Sequence, residues 1–292
     1  MTRGQEDPRP VVTLPRLAEK RRDGEPIVMV TAYDWPTAQA AEAAGVDLVL
    51  AGDTAATTVL GYPTTADVSF EEMIGLTRAV RRGLRTPILV GDLPFGTYEA
   101  SHIQAIRSAQ RLVKDGGCEV VKFEGPAPER AAAIVASGIP VMGHLGLTPQ
   151  TTTMLGGGFR MQARTAEAAA KLVDDAVALQ DAGCFALVLE AIPAELGRIV
   201  TARLHIPTIG IGAGPSVDGQ VMVLNDLLGI FDDFQPRFVK RYAHLRPQMI
   251  AAVASFADDV RAGRFPAAEH CYEMPAEELV RLREQFVDHA HR

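Results

Sequence analysis

Cysteine is scarce in this chain of 292 residues: it has three, Cys118, Cys184 and Cys271, and no CxxC pair. So few cysteines without paired spacing argue against a disulfide framework and against a structural zinc site. Long apolar runs are missing as well, and no segment approaches the roughly 18 apolar residues of a membrane-spanning helix. We therefore expect a protein of a reducing compartment that does not insert into a membrane.

An excess of positive charge is also missing. The chain has 29 Lys and Arg against 36 Asp and Glu, a net charge of −7. A protein that binds nucleic acid without sequence preference needs clustered basic charge, so we expect no nucleic-acid partner. The first ten residues, MTRGQEDPRP, are charged and contain proline, unlike a signal peptide. The expected location is cytoplasmic, and the 47% apolar content is enough for a sizeable core.

Short apolar runs rich in Val, Ile and Leu recur along the chain. Because they are continuous rather than alternating, they predict strands that are covered on both faces, as in parallel sheets. Ala-rich segments with helical spacing, such as Trp35–Ala44 and Phe70–Arg82, lie between most of them. The eight predicted strands are Ile27–Thr31, Asp47–Gly52, Ile88–Leu93, Val120–Glu124, Val141–Leu145, Ala186–Glu190, Thr208–Gly212 and Val221–Asn225.

The residues before these runs support the same interpretation. Four runs follow a proline, which loses no central ladder bond at a strand start, and three follow an Ala-Gly or Gly-Gly pair that can end a helix. Eight units of roughly 25 residues suit an α/β fold of the (β/α)₈ TIM-barrel type. An open doubly wound sheet is the alternative architecture.

The two flanks of the barrel differ in character. Residues 1–10 are predicted to be a flexible tail. A short helix over Thr13–Arg22 is expected to cover the N-terminal mouth of the barrel. From about residue 227 the pattern becomes helical, with predicted helices over Lys240–Arg261 and Ala276–His291. We assign residues 11–292 to a single barrel domain that includes this C-terminal extension.

Ionisable residues stand at the C-terminal ends of five of the predicted strands. Barrel enzymes place catalytic groups at the C-terminal ends of strands, so these side chains are expected to converge on one rim. Any one of them could be a solvated turn residue, but nothing in folding requires a charge at each strand end. Several acids on one rim repel unless a cation or proton intervenes, and an oxygen-rich set without cysteine suits Mg²⁺. The five residues are Asp53, Asp92, Glu124, His144 and Glu190.

Two neighbours of these residues are further candidates. Lys122 lies two positions before Glu124, and the strand period points both side chains to one face. It could neutralise a substrate carboxylate or serve as a buried salt-bridge partner. Thr54 could offer its hydroxyl to a ligand or cap the following helix.

Taken in order, these segments resemble the ketopantoate hydroxymethyltransferase family. The similarity extends from about residue 12 to FPAAEH near residue 270, which is nearly the whole domain. So many multi-residue matches in one order are far more specific than a lone short motif. The segments are TAYDWPTAQAAEAAGVDLVLAGD, VLGY, GDLPF, VKFEG, PVMGHLGLTPQ, ALVLEAIPAEL, IPTIGIGAGPSVDGQVMV and FVKRYA.

The resemblance implies an enzyme of pantothenate and coenzyme A biosynthesis that uses Mg²⁺, with 5,10-methylenetetrahydrofolate as co-substrate and 3-methyl-2-oxobutanoate as acceptor. It implies a homo-oligomer, commonly a decamer in this family. By the same resemblance the proton acceptor is Glu190. His144, at the same rim, is a further catalytic candidate that could orient the substrate, shuttle a proton or only pack. The implied metal ligands are Asp53, Asp92 and Glu124, and the implied ketoacid-binding residues are Asp53, Thr54, Asp92 and Lys122.

Several positions depart from the family's usual pattern: Ala55-Ala56-Thr57 replaces a more usual Leu-Gly-Met, and four single positions differ as well. Thr54 replaces a usual serine, Pro63 a common aspartate, and Pro126 and Ala163 replace usual glycines. These changes could reshape the ketoacid pocket, although every implied metal ligand and the base are present.

Two other classes of function compete with this interpretation. One is an Mg²⁺-dependent aldolase or lyase paralogue of the phosphoenolpyruvate mutase/isocitrate lyase type, acting on another 2-oxo acid. These enzymes use a similar barrel, so fold alone cannot discriminate, but no nucleophilic cysteine motif of the lyase kind is visible. The other is a non-catalytic oligomeric scaffold, which would gain nothing from clustered carboxylates.

Overall fold

A computed structural model describes residues 9–154, 158, 160–231 and 236–287. Its described residues contain eight parallel strands that pair in chain order and close between β8 and β1. The predicted (β/α)₈ barrel is therefore confirmed. The strands are β1 Ile27–Thr31, β2 Leu48–Ala51, β3 Ile88–Asp92, β4 Val120–Lys122, β5 Val141–Gly146, β6 Ala186–Glu190, β7 Thr208–Ile211 and β8 Gly219–Met222.

Helices alternate with the strands, and further helices precede and follow the barrel along the chain, as predicted. Among the described residues, α1 precedes the barrel, and α10 and α11 follow it. The helices are α1 Leu14–Asp23, α2 Trp35–Ala44, α3 Ala55–Thr58, α4 Phe70–Arg81, α5 His102–Arg111, α6 Pro128–Ala136, α7 Ala166–Asp181, α8 Ala194–Arg203, α9 Leu224–Leu227, α10 Leu245–Arg261 and α11 Ala276–Val287. The helical segment between β3 and β4 divides into α5 and a π-helical turn, Leu112–Gly116.

Side-chain caps fix where several of these helices begin. Asp34 accepts from the backbone of Thr37 at the start of α2, and Ser69 forms a capping box with Glu72 at the start of α4. Such caps satisfy N–H groups that have no partner within the helix. Because the helix starts are fixed, each helix returns the chain to the barrel in register.

The eighth strand begins two residues earlier than predicted, at Gly219 rather than Val221. Gly219 lies between two neighbouring strands and is in register with Ile27 and Ile209. A Cβ atom on Gly219 would lie 2.5 Å from the Ile27 carbonyl oxygen, so only glycine fits there. Glycine at a strand start resembles a turn in the sequence, which explains the shift.

The core consists of two layers separated by the barrel wall. One fills the barrel interior and includes Met29, Leu48 and Leu50, together with Leu17 of α1. The other lies between the strands and the outer helices and includes Val49 and Ala51. Adjacent residues of one strand therefore lie in different layers of the core. Because both layers are apolar, each strand appears in the sequence as a continuous apolar run. Leu17 brings α1 to the N-terminal mouth, as expected.

A buried ion pair joins α1 to the barrel. Lys20 Nζ lies 2.7 and 2.8 Å from the two carboxylate oxygens of Asp47, and Asp47 also accepts from the Val28 N–H at 2.8 Å. Both charged side chains are nearly buried, at 8% exposure each. The pair therefore lies where an unpaired charge would be poorly solvated.

Replacing Lys20 with alanine is expected to lower the free energy of unfolding by about 3 kcal/mol, because the buried Asp47 charge then loses its partner. Urea unfolding monitored by circular dichroism measures this loss. The matched control is Lys171→Ala, which removes the partner of Asp175 on an exposed face and should change stability by less than about 1 kcal/mol. Equal losses in both variants would contradict the argument.

The chain divides into two compact units, Met1–Ala243 with the barrel and His244–Arg292 with α10 and α11. The assignment of residues 11–292 to one domain stays a prediction. Most of the predicted flexible tail, residues 1–8, lies outside the described residues. No helix in the described part of the chain is long and apolar enough to cross a membrane.

Candidate active site

The strand ends of the barrel bring all the predicted site residues into one cavity of about 490 Å³. Asp92, Lys122 and Glu190 are the last residues of β3, β4 and β6, and His144 lies within β5. Asp53 and Glu124 follow the ends of β2 and β4 by two residues. The side chains that line the cavity together are Asp53, Thr54, Asp92, Lys122, Glu124, His144 and Glu190.

The ionisable groups at this end of the cavity are all buried. Asp92 is fully buried, and Glu190, the most accessible of the six, is 8% exposed. Water therefore contributes little to solvating these charges, and they must compensate one another.

Lys122 is the positive centre of the cluster. Its Nζ lies 2.8 Å from Asp92 Oδ1 and 3.9 Å from Glu124 Oε1. Burial by itself would lower the pKa of Lys122, but the charges of Asp92 and Glu124 outweigh it and raise that pKa. The ammonium form is therefore the one that this site holds.

His144 links two of the carboxyl groups. Its Nε2 lies 3.2 Å from Glu190 Oε2, and its Nδ1 lies 3.5 Å from Glu124 Oε1. Burial and the Lys122 charge favour neutral imidazole, but contacts with Glu124 and Glu190 outweigh them and raise the pKa of His144 to about 9. His144 is therefore part of the polar site rather than of the apolar packing.

Asp53 and Asp92 form the most negative part of the cluster. The Asp53 N–H donates to Asp92 Oδ2 at 3.1 Å. Burial, followed by the charges of Asp92 and Glu124, raises the pKa of Asp53 well above its usual range. Burial also raises the pKa of Asp92, although Lys122 opposes it. Glu124 differs: burial would raise its pKa, but His144 and Lys122 lower it.

The charge of the cluster fits a divalent cation. Four buried carboxyl groups, those of Asp53, Asp92, Glu124 and Glu190, face two groups that can be cationic, Lys122 and His144. Asp92 Oδ1 is buried and, although near Lys122, is not aligned for a hydrogen bond with any described residue. An oxygen donor set with uncompensated negative charge suits Mg²⁺.

The described residues contain no group of three Asp, Glu, His or Cys side chains arranged as a complete metal-ligand set. A cation in this site would therefore need water or substrate oxygens besides the carboxylates. Mg²⁺ commonly binds in this way, through one or two carboxylates.

Gln150 is a site residue that the sequence analysis did not identify, because its side chain is not ionisable. It follows β5 in a 3₁₀ turn, Pro149–Thr151, and is 5% exposed. Its Nε2 donates to Asp53 Oδ2 at 2.9 Å, and its backbone N–H donates to Glu124 Oε2 at 3.0 Å. Tyr98 Oη donates to Gln150 Oε1 at 2.7 Å, which fixes the orientation of the amide. Its place in GLTPQ, directly after a strand end, is the signal that could have identified it.

Replacing Gln150 with alanine is expected to weaken Mg²⁺ binding by about 10–100-fold, the loss typical when a hydrogen-bond partner of a metal ligand is removed. The physical reason is that Asp53 loses the Nε2 donor that holds its carboxylate, whereas the backbone N–H that donates to Glu124 remains. Isothermal titration with Mg²⁺ measures the effect. Gln104→Ala, which removes a half-buried glutamine that donates to the Gly96 carbonyl and does not line the cavity, is the matched control. Unchanged Mg²⁺ affinity in the Gln150→Ala variant would show that Gln150 does not support the metal ligands.

The four single-residue departures from the family pattern lie in different environments. Thr54 and Pro63 line the cavity, and the Thr54 hydroxyl accepts from Tyr33 Oη at 3.2 Å. Pro126 is exposed. Ala163 has a φ of 52°, a left-handed conformation in which glycine is favoured, so a glycine at this position of the family has a backbone reason.

Comparison with known proteins gives consistent matches over the barrel. Residues 11–268 match the family model described as ketopantoate hydroxymethyltransferase. A 3-methyl-2-oxobutanoate hydroxymethyltransferase of Oleidesulfovibrio alaskensis is 53% identical over 261 residues, covering 88% of this chain and 90% of that protein. The 3-methyl-2-oxobutanoate hydroxymethyltransferase of Moorella thermoacetica is 51% identical over 264 residues, covering 90% of this chain and 98% of that protein.

Solved structures share the fold at low sequence identity. Phosphonopyruvate hydrolase superposes with a TM-score of 0.58 at 13% identity, covering 96% of this chain and 98% of that one. 2,3-Dimethylmalate lyase, a member of the PEP mutase/isocitrate lyase superfamily, gives a TM-score of 0.53 at 17% identity, with the same coverage. At such identities the likeness establishes the barrel architecture alone.

Proposed function

This chain belongs to the ketopantoate hydroxymethyltransferase family, and on that premise we propose that it transfers a hydroxymethyl group from 5,10-methylenetetrahydrofolate to C3 of 3-methyl-2-oxobutanoate. The product is 2-dehydropantoate, an intermediate of pantothenate and coenzyme A biosynthesis. The observation that carries the proposal is the contact of His144 with Glu190, in the cavity that also holds Lys122 and three further carboxyl groups.

The ketoacid binds at the buried end of the cavity. Lys122, as an ammonium group, attracts the substrate carboxylate, and the Thr54 hydroxyl offers a hydrogen bond to its oxygens. Asp53 and Asp92 would hold Mg²⁺ directly, with Glu124 acting through water. When bound, the ion supplies positive charge next to the 2-oxo and carboxylate oxygens, where negative charge develops on deprotonation.

Glu190 is the base that removes the C3 proton. The proton moves to a carboxylate oxygen of Glu190, and the electron pair of the C–H bond moves into the enolate. His144 holds Glu190 through the 3.2 Å contact of its Nε2 and can pass a proton onward. Lys122, 3.4 Å from His144 Nδ1, keeps a second positive charge close to the reacting acid.

The enolate carbon then attacks the methylene carbon of the folate iminium ion. A C–C bond forms, and the C=N π electrons move to nitrogen. Water completes the transfer: a C–O bond forms between the water oxygen and the transferred carbon as its C–N bond breaks, and the proton released by water goes to the nitrogen of tetrahydrofolate. The residues of this chain supply the base, orient the ketoacid and exclude bulk water from the buried end.

We also propose that the chain is a cytoplasmic homo-oligomer, with the decamer as the expected assembly, and that it has no nucleic-acid or membrane partner. Large apolar side chains of α10 support the oligomer: Ile250, Val253 and Phe256 are 61%, 68% and 54% exposed. Apolar surface of this extent marks interaction sites. Analytical ultracentrifugation would determine the number of subunits.

The test of the proposed function is an NMR assay with 3-methyl-2-oxobutanoate, Mg²⁺ and 5,10-methylenetetrahydrofolate. The expected result is a new hydroxymethyl signal from 2-dehydropantoate, which a chelator abolishes. If the protein exchanges the C3 proton of the ketoacid with solvent but forms no 2-dehydropantoate, that result would contradict the proposed transfer. Cleavage of another 2-oxo acid would instead support the lyase alternative, which the family match does not favour.

A further inference from the structure

The cavity has a second part beyond the charged residues. Its total volume of about 490 Å³ lies within the roughly 300–1,000 Å³ of sites for drug-sized ligands, so a small ketoacid fills only part of it. The ionisable groups at the ketoacid end are buried, whereas another part of the lining is less buried and mostly apolar. This less buried part includes Pro63, Asp226, Phe231, Pro236 and Phe238.

Asp226 is the charged side chain of this outer part. It lies in α9, after β8, and is half-buried. Burial raises the pKa of Asp226 to about 6, although the Arg241 charge opposes the rise. Within the described part of the chain, no side chain forms a hydrogen bond with the Asp226 carboxylate, so this half-buried group lines the cavity without a protein side-chain donor. A ligand with N–H donors would supply it.

We propose that Asp226 binds the 2-amino and N3–H edge of the reduced pteridine ring of the one-carbon donor. This inference rests on the proposed function. Two parallel N–H donors match the two carboxylate oxygens, the same geometry that makes forked carboxylate pairs strong. Phe231, Phe238 and the two prolines provide apolar surface for the body of the ring.

The position is compatible with the chemistry, because Asp226 and Glu190 line the same cavity. A donor anchored at Asp226 lies in the space that opens onto the ketoacid, so its methylene carbon can approach C3. Phe238 is held in place at the wall: a Cβ atom on Gly212 would lie 2.6 Å from its ring, so glycine is required beneath it.

A neighbouring cavity of about 670 Å³ is the competing site for the pteridine. It shares Pro236 and Phe238 with the first cavity and is also lined by Met161 and Ala194. Among the described residues that line it there is no carboxylate, and its charged side chain is Arg237. It lacks the acceptor that the donor edge of a pteridine needs, so Asp226 is the better match.

The test compares tetrahydrofolate with its 2-desamino analogue in calorimetric titrations at pH 8, with Mg²⁺ and ketoacid present. The Asp226→Asn variant should bind tetrahydrofolate about 10–100-fold more weakly, the range expected for losing hydrogen bonds to a charged group. The unaltered protein should bind the 2-desamino analogue more weakly by a similar factor. Asp226→Asn should discriminate little between the two ligands, since the pairing is already lost.

Asp174→Asn, an exposed aspartate of α7, is the matched control and should leave both affinities unchanged. If Asp226→Asn fails to fold, the comparison of the two ligands on the unaltered protein still decides. Equal affinity for both ligands there would overturn the proposal. So would normal tetrahydrofolate binding by Asp226→Asn, or a loss confined to a Met161→Ala variant of the neighbouring cavity.

Exchange of the C3 proton with solvent deuterium separates this proposal from the proposed function. Exchange needs the ketoacid, the metal and Glu190 but no folate, so Asp226→Asn should retain it. Normal exchange with weakened folate binding supports the assignment of Asp226. If the unaltered protein neither exchanges the proton nor binds tetrahydrofolate, the proposed function fails, and the pteridine site fails with it.

Discussion

Glutamine in place of Glu190 is expected to slow exchange of the C3 proton of 3-methyl-2-oxobutanoate by about 10²–10⁴-fold, the usual contribution of a general base. The substitution preserves the size of the side chain and its contact with His144, but the amide cannot accept the proton. Binding of Mg²⁺ and ketoacid should remain, because Glu190 is outside the proposed ligand set. NMR measurement of deuterium incorporation at C3 gives the rate.

The matched control is Glu195→Gln, the same change at an exposed position of α8 where glutamate pairs with Arg198. The Glu195→Gln variant should catalyse exchange of the C3 proton at the same rate as the unaltered protein. If Glu190→Gln retains most of its exchange activity, Glu190 is not the base. His144, 3.2 Å away, would then be the next residue to replace.

Asparagine in place of Asp92 is expected to weaken Mg²⁺ binding by more than about 100-fold, beyond the loss typical of removing a ligand's hydrogen-bond partner. One carboxylate charge disappears from the proposed ligand set, and the buried Lys122 loses its 2.8 Å ion-pair partner. The free energy of unfolding without Mg²⁺ should fall by about 3 kcal/mol for that second reason. Calorimetric Mg²⁺ titration and urea unfolding measure the two effects separately.

The two measurements distinguish a metal ligand from a structural ion-pair partner. A loss of stability with unchanged Mg²⁺ affinity would leave Asp92 only the structural role. Asp175→Asn, which affects an exposed pair with Lys171 on α7, should change neither quantity appreciably. Ketoacid binding in the presence of Mg²⁺ should weaken in parallel with Mg²⁺ affinity if both ligands share the site.

Local sequence patterns were enough to predict the barrel and the place of its reactive groups. β1 and β6 have the predicted bounds, because covered parallel strands impose continuous apolar runs that end sharply at polar residues. Since the C-terminal ends of all barrel strands meet on one face, the acids after those runs had to converge. The start of β8 was wrong by two residues because the packing against Ile27, which requires Gly219, involves the distant first strand.

The hydrogen-bond and ion-pair partners of these groups, in contrast, follow from the three-dimensional packing of the barrel. Gln150 is uncharged and lies 97 positions from Asp53, and no local pattern connects them; the closing of the barrel brings its amide to the carboxylate. Whether Lys122 paired with Asp92 or Glu124 was likewise open, and the register of β3 with β4 sets Asp92 directly beside it. Local pattern specifies strands and their ends, whereas distances between side chains depend on register and packing across the whole barrel.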